Sequence, residues 1–495
     1  MWSSVGSPPT SRLEWNRLPW ARFHWLVVIG LGTVWILDGL EVTIVGSMSA
    51  ALEPEGSGLG LSSFDVGLAG AIYVAGACVG ALFFGQLTDK YGRKKLFIIT
   101  LVVYTVATVL TAFSMNPTWY FACRFLTGMG IGGEYAAINS AIDELIPAKY
   151  RGRVDVAING SFWIGAAGGA ILTIPLLDPT VIDQGLGWRL AFGLGGILAV
   201  GVLIVRRYVP ESPRWLYIHG RDEEGDRIVA DIEQTVRNET GRDLPGVSQT
   251  ITIRQRRSIG FALIARTVFT LYPRRTVLCL SLFIGQAFLY NAFFFTYGDT
   301  LTTFMGVVQT GWYIAAFAVS NFLGALLLSP LFDTVGRVRM ISGTYIVSGA
   351  LLAVAGLMLS PSMSAVTLTV MGMVIFFFAS AGASAAYLTA SEVFPMETRA
   401  LCIAFFYAVG TAAGGIAGPL LFGKLIEDAT TGGKDISAIA IGYYIGAALM
   451  IAGGVVAAFL GVHAEGESLE NIAKPLTAED DPDPSSGGGR EPAHA

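Results

Sequence analysis

A chain of 495 residues that is 53% hydrophobic and 14% charged falls outside the ordinary soluble class, whose domains carry about 25% charged residues. A water-soluble chain of this length would split into two or three domains under charged surfaces, and such surfaces are missing here. The net charge of −5 is set mainly by the tails and gives no reason to expect a nucleic-acid partner.

From the N-terminus, Arg12, Arg17 and Arg22 precede the first of a series of apolar runs. Each run is about 20 residues or longer, enough to cross a bilayer. Twelve are expected, near 25–50, 66–87, 96–114, 118–142, 154–178, 188–209, 276–300, 307–330, 339–359, 364–390, 400–424 and 437–462. The first is no signal peptide, because it is long, lacks a small-residue cleavage pattern and is followed by further spans. The 61 glycines suit close packing of membrane helices. All four cysteines fall inside expected spans, which argues against disulfides and Cys/His metal sites, and no cofactor is expected.

An Arg-rich polar stretch divides the runs six and six, giving an expected plan of five parts. These are a tail at 1–24, a bundle at 25–209, a linker with short helices at 210–275, a bundle at 276–462 and a tail at 463–495. In the linker, "RDEEGDRIVADIEQTVRNETGRD" reads as a short polar helix, and "RSIGFALIARTVFTLYPRR" as an amphipathic helix lying on the membrane surface. The last residues, "TAEDDPDPSSGGGREPAHA", are expected to be disordered. Basic residues cluster in the 87–95, 147–153, 206–275 and 333–339 segments, whereas Glu53, Glu55 and Asp65 follow the first span. Positive loops remain cytoplasmic, so both termini are expected inside.

The halves echo one another. "GQLTDKYGRKK" after the second span answers "SPLFDTVGRVR" after the eighth, and "DELIPAKYRGR" after the fourth answers "SEVFPMETRA" after the tenth. A repeat of six spans implies two similar bundles with a substrate path between them.

Ionisable groups at bilayer depth cost at least about 2.5–3.5 kcal/mol, so each invites a functional reading. "WILDGLEVTIVG" places Asp38 and Glu41 at i and i+3, on one helix face. Two carboxylates in a low-dielectric site can take up and release a proton near neutral pH. No histidine lies deep in a span. Arg124 is the natural counter-charge, and Glu134 in "GIGGEYAA" is a further buried acid. A purely structural ion pair, or a Glu134 that caps a kink, is the plainer alternative. Asn159, Trp163, Gln286, Tyr290, Asn291, Tyr297 and Tyr387 combine aromatic walls with a few polar groups, as binding pockets do.

On these motifs the chain resembles the major facilitator superfamily, closest to its sugar porter and metabolite:proton symporter branches. "GQLTDKYGRKK" resembles the loop after the second span, and "RFLTGMGIGGEYAAINSAIDELIPAKYRG" the fourth-span signature. "PESPRWLYIHGR", "SEVFPMETRA" and "EGESLENI" resemble the segments after spans six, ten and twelve. The resemblance implies an all-α membrane protein of twelve transmembrane helices in two six-helix bundles, placed multi-pass in the plasma or inner membrane and expected as a monomer. It also implies proton coupling through Glu41 and Arg124. Asp38 is similar to the extra acid of the aromatic-acid:proton symporters.

A cytoplasmic gate is implied at Gly85, Asp89, Gly92, Arg93, Glu144, Arg151, Glu211 and Arg214, and in the other half at Asp333, Gly336, Arg337, Glu392 and Arg399. Ion pairs at a wet edge are worth about 0–1 kcal/mol each and can open and re-form. The chain departs from the hexose-binding pattern in four places. Span seven keeps only Gln286 and Asn291 of the amide set, span five supplies Asn159 and Trp163 where a glutamine is expected, the Pro-rich tenth span is replaced by "SAGASAAYLTASEVF", and the expected P-x-Y reads Asn139-Ser140-Ala141. Symport of protons with a small organic or aromatic acid, or a related polar compound, is therefore expected ahead of a hexose. Proton-antiport efflux and a non-transporting nutrient sensor are the alternatives. Enzyme chemistry is not expected, since "GMGIGG" lies inside a span rather than after a strand.

Overall fold

The structure, a computed structural model, describes residues 10–11, 18–52, 57–61, 63–178, 180–206, 211–241, 251–252, 261–307, 309–395, 398–431, 435–473 and 476. Some side chains within these segments, those of Asp89, Glu144 and Arg214 among them, lie outside the description. So does the tail from 477 onward, where disorder is expected.

The long helices follow the apolar runs. They are α1 (Arg22–Leu52), α2 (Ser63–Tyr91), α3 (Arg93–Ala112), α4 (Pro117–Leu145), α5 (Ala148–Gly160), α6 (Phe162–Leu176) and α7 (Gln184–Arg206). The short helices α8 (Pro213–Ile218), α9 (Asp222–Thr240) and α10 (Phe261–Arg266) lead to α11 (Pro273–Met305). Then come α12 (Gly311–Thr334), α13 (Arg337–Met358), α14 (Ala365–Val393), α15 (Arg399–Gly410), α16 (Ile416–Thr431), α17 (Ala440–Leu460) and α18 (Leu469–Ile472). A two-residue antiparallel pair, β1 (Thr10–Ser11) with β2 (Ile251–Thr252), is the sole departure from helix-only pairing among the described residues.

Eleven stretches among the described residues are long and apolar enough to cross a membrane. The α5–α6 pair forms one of them, because Ser161 bends the chain by turning its hydroxyl back to Ile158 O at 2.6 Å. Another runs from α15 to α16 through a π-helical turn, Thr411–Gly415. α4 is 29 residues long but carries Arg124, Glu134, Asp143 and Glu144, and this polarity keeps the twelfth expected run out of the apolar set. These helices are apolar all round. On α3, Phe97, Leu101 and Tyr104 are buried, while Ile99, Val102 and Val106 are exposed on the opposite side. Such a helix belongs in lipid.

Glycines set the closest crossings. A Cβ on Gly76 would lie 2.2 Å from Phe125 O, and one on Gly132 would lie 2.0 Å from Ala77 O, so α2 and α4 meet backbone to backbone. The helices up to α7 pack on one another chiefly through α2–α4, α1–α6 and α3–α4, and the later ones through α13–α17, α12–α14 and α11–α17. Two seams join these groups: α12 runs along α5 and α6, and α2 along α15.

At the basic ends, α2 turns into α3 at Gly92 (φ 102°) and α12 into α13 at Gly336 (φ 107°), a backbone region open to glycine and strained for other residues. Ser212 caps α8, with Pro213 at its first turn, and Asp222, Glu223 and Glu224 open α9 against its dipole. α9 buries Ile232 and Val236 against Leu18 and Ala21, just ahead of α1. Of the surface helix expected over 257–275, residues 257–260 lie outside the description; from Phe261, α10 passes into a π turn, Thr267–Leu271, before Pro273 starts α11.

Candidate functional site

α1 and α4 bring the sequence-selected charges together. Arg124 Nη1 donates to Glu41 Oε1 at 2.9 Å, with both side chains 2% exposed. Thr108 of α3 donates to the other Glu41 oxygen at 3.2 Å. The guanidinium is capped by the Tyr73 ring at 4.5 Å and the Phe192 ring at 5.8 Å. Asp38, one turn before Glu41, is fully buried, and neither of its oxygens has a hydrogen-bond partner among the described residues. Burying a charge in that state is costly. Glu134 is equally buried on α4. Glu41 is the carboxylate that holds the guanidinium.

Beside this cluster lies a central cavity of about 180 Å³, lined from both groups of helices. It is smaller than the roughly 300–1,000 Å³ of pockets for drug-sized ligands, so it suits a small metabolite. Of the seven substrate candidates, Asn159, Trp163, Gln286, Tyr290, Asn291 and Tyr387 line it. Tyr297 does not. It stacks on Phe293 at 5.0 Å and shares a 2.6 Å hydrogen bond with Thr369, inside the aromatic core of the later helices.

The discontinuities of α5–α6 and α15–α16 place Asn159, Phe162, Trp163 and Thr411 on the cavity wall. π turns inside helices recur at functional sites. Asn159 donates to Asn139 Oδ1 (3.1 Å) and to Asp155 O (2.9 Å), which leaves its carbonyl oxygen without a partner among the described residues. Tyr290 donates to Asn321 Oδ1 at 3.0 Å.

Sequence reasoning missed Trp35, Tyr73, Tyr135 and Tyr407, which also line the cavity. Tyr135 stacks on Trp35 (4.7 Å, 6°) and meets Tyr407 (4.7 Å) and Tyr387 (6.1 Å) from the other group of helices. A hint existed in Tyr135, which directly follows the buried acid Glu134.

The basic end is closed by charge contacts between the two groups of helices. Arg151 of α5 lies 3.5 Å from Glu392 of α14. Asp333 of α12 accepts from the Gly152 and Arg153 backbone N–H groups, both at 3.0 Å, and from Arg153 Nε at 3.1 Å. Arg337 bridges Asp333 and Glu392, at 2.9 Å to each. Arg399 is buried beneath them, 3.4 Å from Phe394 O. Gly85 meets α15 so closely that a Cβ would stand 2.7 Å from that of Ala404.

Glu211 accepts from the backbone N–H groups of Arg93 (3.0 Å) and Lys94 (3.2 Å), capping α3. Burial pushes its carboxyl up, against the pull of those donors. Glu465 repeats the arrangement in the other half, accepting from Arg337 N at 3.3 Å beside Gly336. Asp89, Glu144 and Arg214 of the expected gate have side chains outside the description.

The family model for sugar (and other) transporters matches residues 38–475. The chain belongs to that family. It is 29% identical over 469 residues to the "Niacin transporter NiaP" of Acinetobacter baylyi, covering 93% of this chain and 99% of that protein. It is 27% identical over 459 residues to the "Organic cation/carnitine transporter 7" of Arabidopsis thaliana, covering 82% of this chain and 86% of the relative. Its fold is similar to the major facilitator superfamily proton:xylose symporter XylE, with a TM-score of 0.76, 16% identity and coverage of 91% of this chain and 98% of the other. This is a multi-pass membrane transporter of the major facilitator type, resembling sugar porters and embedded in lipid to move a small molecule.

Proposed function

We propose that the chain is a proton-coupled symporter for a small organic or aromatic acid, or a related polar metabolite, taken ahead of hexoses by alternating access. The carrying observation is the fully buried Asp38 beside the 2.9 Å Glu41–Arg124 pair, next to a cavity bounded by both groups of helices. Protonation of an acid here weakens its hold on Arg124, and a change of one charge in a low-dielectric site suffices to bias two packed states. The niacin transporter named above supports the aromatic part of this reading.

In this reading α4 is the twelfth span, and the spans form two six-helix bundles, 25–209 and 276–462, joined by the 210–275 linker. Both termini face the cytoplasm of a monomer in the plasma or inner membrane. The charged belt at the basic end, with Asp89, Glu144 and Arg214 included, is the cytoplasmic gate. Asp38, Glu41 and Glu134 handle the proton, and Asn159, Gln286, Tyr290 and Asn291 hold the substrate.

The test is substrate-dependent proton entry into proteoliposomes carrying an internal pH-sensitive dye, with nicotinate, benzoate, aliphatic acids and hexoses as candidates. Internal acidification beyond that of protein-free vesicles, which Glu41→Gln abolishes while exchange down the substrate gradient survives, is the expected result. Acidification intact in Glu41→Gln would sink the coupling role, and a pH-gradient-driven outward flux would replace symport with antiport.

A further inference from the structure

Within the proposed transport of an aromatic metabolite, the charge distribution selects a narrower substrate class. The cavity wall carries amides, hydroxyls, aromatic rings and aliphatic groups, and no charged side chain among the described residues. Arg124 is the one basic side chain described beside it, and that charge is engaged at 2.9 Å by Glu41 and covered by the ring of Tyr73, itself a wall residue. With this pair formed, Asp38, fully buried one turn away and without a hydrogen-bond partner among the described residues, adds only an acid. The charge behind the wall is therefore zero or negative whatever its protonation.

An anion placed in such a cavity loses its water without gaining a counter-charge, which costs several kcal/mol unless something neutralises it. An aromatic wall makes this worse, since π faces attract positive charge. Gln286 has no side-chain hydrogen bond to another described residue, and Asn159 has an unused carbonyl oxygen, so the wall offers neutral donors and acceptors. An amide or a ring nitrogen matches those groups.

We infer that the cavity takes its substrate as an aromatic ring bearing an uncharged amide or a cationic nitrogen, or as an acid whose charge is already cancelled, and discriminates against plain aromatic carboxylate anions. This rests on the proposed aromatic substrate and adds its charge. Acid substrates then bind together with the transported proton, which serves as the counter-charge that the wall lacks.

The experiment is calorimetric binding to the full-length protein in lipid nanodiscs at near-neutral pH and low salt, with nicotinamide, 1-methylnicotinamide and benzoate as probes. The expected order has nicotinamide and the cationic 1-methylnicotinamide each binding at least about tenfold more tightly than benzoate. Asp38→Asn should weaken 1-methylnicotinamide about fivefold or more while leaving nicotinamide within about twofold. Should that variant not fold, the order in the unaltered protein decides alone.

Benzoate binding as tightly as the other two, or a cation affinity unmoved in a folded Asp38→Asn, overturns the inference and leaves proton symport standing. Silence for all three rings, with binding of a non-aromatic metabolite, overturns the aromatic reading as well.

Discussion

Arg151 and Glu392, from opposite sides of the molecule, meet at 3.5 Å with side chains only 1% exposed. Glu392 also accepts from Arg337 at 2.9 Å, so one carboxylate balances two guanidinium groups. Removing one partner of a buried pair leaves an uncompensated charge and costs about 3–5 kcal/mol. Glu392→Gln should therefore destabilise the state closed at the basic end. The expected result is a fall in turnover of at least about tenfold, with substrate affinity changed less than about threefold. Stopped-flow uptake and equilibrium binding on the same preparation decide it, and unchanged turnover removes the gate role.

Gly92 and Gly60 separate backbone strain from steric exclusion. Both have positive φ, 102° and 54°, but a Cβ at Gly60 meets open space whereas one at Gly92 would stand 2.4 Å from Glu211 Oε2. Gly60→Ala should cost roughly 1–2 kcal/mol from backbone strain alone. Gly92→Ala adds displacement of the carboxylate that caps α3, so its melting temperature should fall further. Equal shifts for the two variants would show that the Glu211 cap contributes nothing.

The Glu211 cap also predicts a pH dependence. Burial raises this carboxyl above its ordinary value of 4.5, so the folded protein holds the proton more tightly than the unfolded chain does. The group's contribution is then most favourable at acid pH and declines as pH rises from the ordinary carboxylate value through the raised one. Glu211→Gln does not titrate. The melting temperature of the unaltered protein minus that of Glu211→Gln should therefore fall as pH rises from about 4 to neutrality. A difference that rises with pH would mean that the backbone donors of α3 outweigh burial.

The sequence made the helices legible, because apolar runs separated by charged turns leave little choice in a bilayer. The family resemblance implied that Glu41 and Arg124 act together, and the two side chains meet at 2.9 Å. The cavity was harder to read. Trp35, Tyr135 and Tyr407 look like packing residues on their own helices, and only the meeting of two separate groups of helices turns them into a wall. Tyr297 failed for the converse reason: it lies on the same helix as Tyr290, yet Thr369 and Phe293 hold it inside the core. Glu211 was legible as a gate residue, but its hold on the backbone N–H groups that open α3 is invisible in a residue pattern.

The seam between α5–α6 and α12 has a mechanical consequence. A Cβ at Gly160 would come within 2.2 Å of the Ala325 Cβ, so the bare Gly160 backbone packs on the Ala325 methyl and leaves no room for a side chain between the helices. That contact is a natural pivot. Nine residues separate it from Arg151, a lever arm of about 13 Å along the helix. A rigid rotation of about 15° around it would carry the arm's end about 3 Å. A stroke of that size is comparable to the 3.5 Å span between Arg151 and Glu392, so a modest tilt would unlatch one face without parting the seam.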